Sequence, residues 1–331
     1  MRSYPVRNSR PAAPRVLVAG GTGFIGRHAV AALRDAGAAP IVGSRFEAGE
    51  RTQAGPLTAD CARRVLRFED LMRPERWLPL LEGVDAVLNC VGILRPRGRA
   101  TYDRVHHRAV AALAGACALR GIRVVHVSAL GLDAPVRSRF LRSKRDGEQA
   151  LMASGADWWL ARPALLDGDT GFGADWIRRV ADWPLHPVPS DARGLLAPLD
   201  VRDLGAALAR LCLDPPATGA DPRARIFELG GADLRRMDEH LAAMRDPALA
   251  ARAPRLRIPA WAARLASHAC DVLHATPFSF GHLELLRRDN VPCPNRIVEL
   301  LGRTPRDVAR GSVTATTAIV PPRVPRLAPR T

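Results

Sequence analysis

Lysine is almost absent from this chain of 331 residues: of 49 lysines and arginines, only Lys144 is a lysine. A bias toward arginine replaces lysine wherever a generic positive charge is enough. A lysine that survives marks a place where a compact ammonium does what a planar guanidinium cannot, such as reaching a confined oxygen or shifting a neighbour's pKa. Chance survival is the competing reading, and the surroundings of Lys144 bear on it. Long apolar runs are missing too. No stretch approaches the roughly 18–20 residues of a membrane helix. Met1 to Pro14 is basic without the apolar segment of a signal peptide, so a cytoplasmic protein is expected. The six cysteines, at 61, 90, 117, 212, 270 and 293, include no Cys-x-x-Cys pair, which argues against a zinc site and a disulfide framework; no metal is expected.

Acidic residues are outnumbered, and the formal net charge is +16. Much of that excess is peripheral. Residues 1–14 carry Arg2, Arg7 and Arg10, and residues 310–331 carry Arg310, Arg323, Arg326 and Arg330, with no acid in either stretch. The rest of the chain is left with +9, and no recognition motif for DNA or RNA accompanies it. Both tails are rich in Pro and Arg and too poor in apolar groups to pack, so they are expected to be disordered. A weak attraction to anionic membrane surfaces is the further expectation they raise.

What is present is a regular alternation. Strands are expected at Arg15–Ala19, Ile41–Ser44, Val65–Phe68, Asp85–Cys90, Ile122–Ser128, Trp158–Arg162 and Arg225–Leu229. Helices are expected at Gly23–Ala36, Thr101–Leu119, 137–153 and Val201–Leu213. Near-continuous apolar strands alternating with Ala-rich helices predict an α/β protein with a doubly wound parallel sheet, covered on both faces. The reading assigns 15–165 to this Rossmann domain, with 195–229 (including Leu195–Leu199) returning to the sheet. Residues 166–194 and 230–309 are expected to form a smaller, mainly helical lobe for substrate or partner.

The first strand runs directly into Gly20-Gly-Thr22-Gly23-Phe24-Ile25-Gly26 and then a helix. Between strand and helix the glycines have mechanical jobs: a tight turn, close approach of backbone to a pyrophosphate, and close helix–strand packing, with the helix N-terminus favouring negative charge. A nicotinamide dinucleotide is therefore expected. The second strand ends Ser44-Arg45 with no acid at the position that reads the adenosine ribose. Both side chains can donate to a 2′-phosphate, so NADP(H) is expected over NAD(H). Glu47, two residues too late, is the competing candidate for NAD.

Several segments in the same order resemble the atypical, extended short-chain dehydrogenase/reductases. The closest likeness is to the NmrA-like branch and to bacterial relatives of the NAD(P)H-binding accessory subunit of respiratory complex I. They are the glycine loop, Asp70-Leu71, Asn89-Cys90-Val91-Gly92, His126-Val-Ser128-Ala-Leu-Gly131, Phe140-Leu-Arg-Ser-Lys144, Arg162-Pro163-Ala-Leu165-Leu-Asp-Gly168, Asp200-Val-Arg-Asp203 and Leu285-Leu-Arg-Arg-Asp-Asn-Val291. The resemblance implies that Asp70 and Leu71 lie against adenine, and that Asn89 to Gly92 run beneath the adenosine and pyrophosphate. It also implies that Ser128 orients a carbonyl, that Lys144 holds the nicotinamide ribose, and that Pro163 to Leu165 pass the nicotinamide face. The family's acid/base tyrosine falls on Phe140, which has no ionisable group, and a helix asparagine common in extended members falls on His106.

A phenol in that place protonates the substrate oxygen, and general acid catalysis is typically worth about 10²–10⁴ in rate. The expectation is thus a cofactor-binding sensor, or an accessory or assembly factor associated with a respiratory complex, with weak or absent reductase chemistry. The alternative is an active NADPH-dependent oxidoreductase or isomerase on a small carbonyl or quinone, with His106, His107 or Tyr102 supplying the proton.

Overall fold

The computed structural model describes residues 13–46, 56–249, 253–273 and 278–310. The tail expectation falls almost wholly on residues 1–12 and 311–331, and Glu47 also lies outside the described residues.

Seven strands form one parallel sheet. In chain order the elements are β1 (Arg15–Ala19), α1 (Phe24–Asp35), β2 (Ala39–Ser44), β3 (Ala62–Val65), α2 (Pro74–Trp77), β4 (Ala86–Asn89), α3 (Ala109–Arg120), β5 (Arg123–Val127), α4 (Arg139–Met152) and β6 (Trp158–Pro163). There follow β7 (Leu166–Asp167), α5 (Phe172–Ala181), β8 (His186–Pro189), β9 (Leu199–Asp200), α6 (Val201–Leu213) and β10 (Ile226–Leu229). The last elements are α7 (Met237–Met244), β11 (Arg255–Ile258), α8 (Ala260–Leu273), α9 (Phe280–Leu286) and α10 (Ile297–Leu301).

The strand order is β10-β6-β5-β4-β1-β2-β3. β1 pairs with β2 on one side (Leu17 opposite Ile41) and with β4 on the other (Leu17 opposite Val87). The winding direction therefore reverses between β1 and β4, and a crevice opens there at the C-terminal strand ends, where such sheets bind ligands. Alternate strand residues feed two apolar layers. Leu17, Val87, Val124 and Leu160 pack toward α3; Val16, Val18, Leu88, Val125 and Val127 pack toward α1 and α6. Burial on both faces is why these strands read as unbroken apolar runs.

Three details depart from the sequence expectation. β3 sits three residues earlier than Val65–Phe68. As an edge strand it tolerates the half-buried Arg63 and Arg64, whose guanidinium donates to the Glu82 carbonyl at 2.8 Å, while Leu66 and Phe68 enter the core just beyond it. The helix expected at Thr101–Leu119 begins as a π-helical segment, Asp103–Arg108, before continuing as α3. Leu195–Leu199 does not rejoin the main sheet: β9 pairs with β7 in a separate two-stranded ladder, and only β10 returns, beside β6.

The segments outside the sheet are not wholly helical. β8 and β11 form a small parallel ladder beside α5 and α7. Ile297 and Leu300 of α10 are buried with α6 beneath the main sheet. No helix among the described residues is long and apolar enough to cross a membrane.

Candidate functional site

The loop between β1 and α1 is built by backbone alone. Gly20 takes φ +75°, a conformation open to glycine at little cost. The Gly20 and Gly21 N–H groups donate to the Gly43 carbonyl at 3.0 Å, pinning the loop to β2. A side chain on Gly26 would collide with the Gly20 carbonyl, so α1 starts as close to the turn as its backbone allows. Gly23 is exposed as the N-cap and no side chain caps the helix, which leaves first-turn N–H groups facing the crevice. Thr22, Phe24 and Ile25 are half-buried around it. Phe24 lies against Gly168 and Gly171, and Arg27 bonds Thr170, so the segment after β6 is folded over the start of α1.

Around the crevice the other strand ends contribute in order. Ser44 is buried at the end of β2 and its hydroxyl donates to the Phe46 carbonyl at 2.6 Å, while exposed Arg45 lies over the Phe46 ring at 5.7 Å. Asp70 pairs with Arg99 at 2.7 Å, and the Leu71 carbonyl accepts the Trp77 indole N–H at 2.9 Å. Cys90, Val91 and Gly92 follow β4 as a strip of small or half-buried residues. Burial pushes the Cys90 thiol strongly up, so it stays protonated. Asn89 fixes this strip: its Oδ1 accepts from the Val91 N–H and its amide donates to His126 Nδ1, both at 3.0 Å. His126, sealed from water and beside Lys144, is pushed down to about 3 and is neutral. Pro163 and Leu165 lie at the end of β6.

On α4, Phe140, Ser143, Lys144 and Gly147 recur at spacings of three and four and so share one face. That face meets the π-helical segment. Gly147 is required there, since any side chain would strike the His106 carbonyl. His106 is buried with both ring nitrogens engaged. Its Nε2 accepts from the Ile93 N–H at 3.0 Å, so Nδ1 carries the proton and bonds Ser143 Oγ at 3.0 Å. Ser143 in turn donates to the Phe140 carbonyl at 2.8 Å. Burial and the nearby Lys144 ammonium hold His106 far below its ordinary pKa.

Lys144 stands across from Gly92, its Nζ 5.8 Å from the centre of the Phe140 ring. Loss of hydration lowers it to about 8, against the opposing pull of Glu148. Glu148 is itself neutralised by Arg162, which grips both its oxygens at 3.1 and 2.6 Å. Ser128, at the end of β5, is buried, and its hydroxyl has no hydrogen-bond partner among the described residues. An orphaned hydroxyl of this kind costs stability unless a ligand satisfies it.

Phe140 is enclosed by rings. Tyr102 and His106 meet it edge-on at 5.7 and 5.6 Å, and His282 of α9 stacks on it at 6.0 Å. α9 is held in place by buried Arg95, which pairs with Asp271 at 2.9 Å and donates to the Phe278 carbonyl at 2.5 Å. The other candidate proton donors are also committed. The Tyr102 hydroxyl donates to the Leu94 carbonyl at 2.8 Å and burial raises its pKa; half-buried His107 pairs with Asp103 at 3.0 Å.

The glycine loop, the bare helix start and the strip after β4 fit a dinucleotide, and the Ser128 hydroxyl, unpartnered among the described residues, fits a polar ligand atom. Comparison with known proteins agrees. Residues 20–178 match the family model described as NAD(P)H-binding. The chain thus carries an NAD(P)H-binding domain and is similar to the atypical short-chain dehydrogenase/reductases. It is 31% identical over 202 residues to a ceramide reductase of Caulobacter vibrioides, covering 60% of this chain and 61% of that protein. It is 24% identical over 229 residues to the mitochondrial NADH dehydrogenase [ubiquinone] 1 alpha subcomplex subunit 9 of Arabidopsis thaliana, covering 66% and 54%. Both matches span less than two thirds of the relative's length. The fold is shared with a dTDP-glucose 4,6-dehydratase of Bacillus anthracis solved with NAD, at TM-score 0.61 and 13% identity over 89% of this chain and 92% of that one.

Sequence reasoning did not assign roles to Ser143, Gly147, Arg95 or His282. A glycine inside α4 was a usable signal, because glycine in a helix interior costs about 0.5–1 kcal/mol relative to alanine and needs a packing reason. Nothing local links His282 to Phe140.

Proposed function

We propose that this dehydrogenase/reductase frame binds NADPH in preference to NADH and works as a redox-state sensor or an accessory factor, with weak or no reductase turnover. The observation that carries the reading is the state of Phe140: a ring without an acidic proton, set among Tyr102, His106 and His282, of which Tyr102 and His106 spend their donors on the Leu94 carbonyl and the Ser143 hydroxyl. In the bound state the first turn of α1 would receive the pyrophosphate, with Ser44 and Arg45 at the adenosine ribose and Asp70 and Leu71 by adenine. Cys90 to Gly92 would run beneath the dinucleotide, and Lys144, Pro163 and Leu165 would lie at the nicotinamide end. A bound reduced nicotinamide supplies hydride. Ser128 is then left to orient an acceptor without a phenol at position 140 to protonate it. The likeness to a respiratory-complex subunit supports the accessory role.

A second reading is favoured by the likeness to a ceramide reductase: slow reduction of a carbonyl on a long-chain lipid. Both readings are tested together by calorimetry with NADPH and NADH and by NADPH oxidation against a panel of carbonyls, quinones and ceramide-type lipids. Stoichiometric NADPH binding without turnover supports the sensor or accessory role. Turnover at ordinary reductase rates on any acceptor replaces it with the second reading, and tighter binding of NADH removes the assignment of Ser44 and Arg45.

A further inference from the structure

α8 is mounted inside out. At 100° per residue, Trp261, Leu265, Ala269, Val272 and Leu273 fall within an arc of about 120°. That arc faces water: Trp261 is 72% exposed, Leu265 65%, Val272 77% and Leu273 72%. The residues turned inward are small, with Ala263 at 3% and Ser267 at 0%. A helix of a soluble domain ordinarily buries its large apolar side chains and exposes its small and polar ones. Here the apolar stripe contributes nothing to the core.

Along the chain from β11 to the end of α8 the exposed charges share one sign. From Arg255 to Leu273 the only acid is Asp271, and it points inward, pairing with Arg95 and accepting the Phe280 N–H at 3.2 Å. Arg264 borders the stripe, its guanidinium over the Phe280 ring at 5.8 Å, with His268 stacked on the same ring at 4.7 Å. Arg257 is exposed on β11, just before the helix. An apolar arc begun by tryptophan and flanked by arginine is the composition of a helix that lies in a membrane interface. There the apolar side chains enter the acyl boundary and the cations meet anionic headgroups.

We infer that α8 docks this protein on the surface of an anionic lipid bilayer, lying in the interface without crossing it. The docking face is α8 itself and is separate in sequence from the basic tails. Asp271 and Phe280 connect α8 to α9, whose His282 stacks on Phe140. The inference is independent of whether that site turns over.

The test uses the full chain and sedimentation with phosphatidylcholine vesicles, with and without phosphatidylglycerol. The parent is expected to pellet with the anionic vesicles. Leu265→Ser combined with Val272→Ser should weaken that partition by about tenfold or more, since two large side chains no longer leave water. Arg257→Glu combined with Arg264→Glu should remove the dependence on phosphatidylglycerol. All four positions are exposed, so the melting temperature should hold. Three results would overturn the inference: no pelleting of the parent; equal pelleting of parent and serine variant, which assigns binding to the tails; or a parental dimer that the serine variant splits while vesicle binding is unchanged, which makes the stripe a self-association face.

Discussion

A single hydroxyl separates Phe140 from the tyrosine of the dehydrogenase/reductases this chain resembles, and the substitution Phe140→Tyr would add it near Lys144. The ring keeps its place among Tyr102, His106 and His282, so the folding cost is small. If only the acid is missing, NADPH oxidation with a reactive dicarbonyl should rise by about 10², the low end for a positioned general acid. Its rate should follow an ionisation below that of free tyrosine, because the ammonium stabilises the phenolate. No gain with intact NADPH binding would show that α9 excludes the acceptor. Lys144 carries its own signature. Held at about 8, it is partly neutral in mildly alkaline solution, and an anionic dinucleotide favours its protonated form. Affinity should therefore be greatest below pH 8 and fall above it. Binding near pH 8.5 should take up a proton, measured as a dependence of calorimetric heat on buffer ionisation. Lys144→Met should abolish that uptake without lowering the melting temperature.

At the scale of elements, α4 is the piece on which the site depends, because one helix face carries Phe140, Ser143, Lys144 and Gly147. Gly147→Ala should push α4 from the π-helical segment and break the bond between His106 and Ser143. A loss of about 1–3 kcal/mol is expected in denaturant melts, with weaker dinucleotide binding. Gly173→Ala is the control: a methyl there meets nothing within 4 Å, so stability should hold or rise slightly. This helix also marks how far the sequence could be read. The glycine loop and the strands β1, β4, β5 and β6 were legible because their apolar runs and turns are local necessities of a buried parallel sheet. Lys144 could be singled out because it is unique, and the variants above test its role. β3 was misplaced because an edge strand does not need two apolar faces. The π-helical segment and the seating of His282 on Phe140 were invisible, since both arise from contacts between segments far apart in the chain.

For the molecule as a whole, acid is the predicted weakness. His126 is depressed to about 3, His240 and His282 to about 4, and His106 also lies well below its ordinary value, each mainly through burial. A histidine whose folded pKa is lowered binds its proton preferentially in the unfolded chain. Its contribution is complete above pH 6.5 and is lost as pH falls toward the folded value, with a slope of up to about 1.4 kcal/mol per pH unit for each group. Melting temperature should hold from pH 8 to 6.5 and drop steeply toward pH 4. A flat profile down to pH 4 would mean that these rings protonate without unfolding the protein. The scarcity of lysine has one more consequence. With a single side-chain primary amine in 331 residues, half-buried opposite Gly92, amine-directed chemistry has one internal target. Reductive methylation with isotope-labelled formaldehyde would place one side-chain resonance in the crevice, a built-in reporter of cofactor occupancy that needs no engineered label.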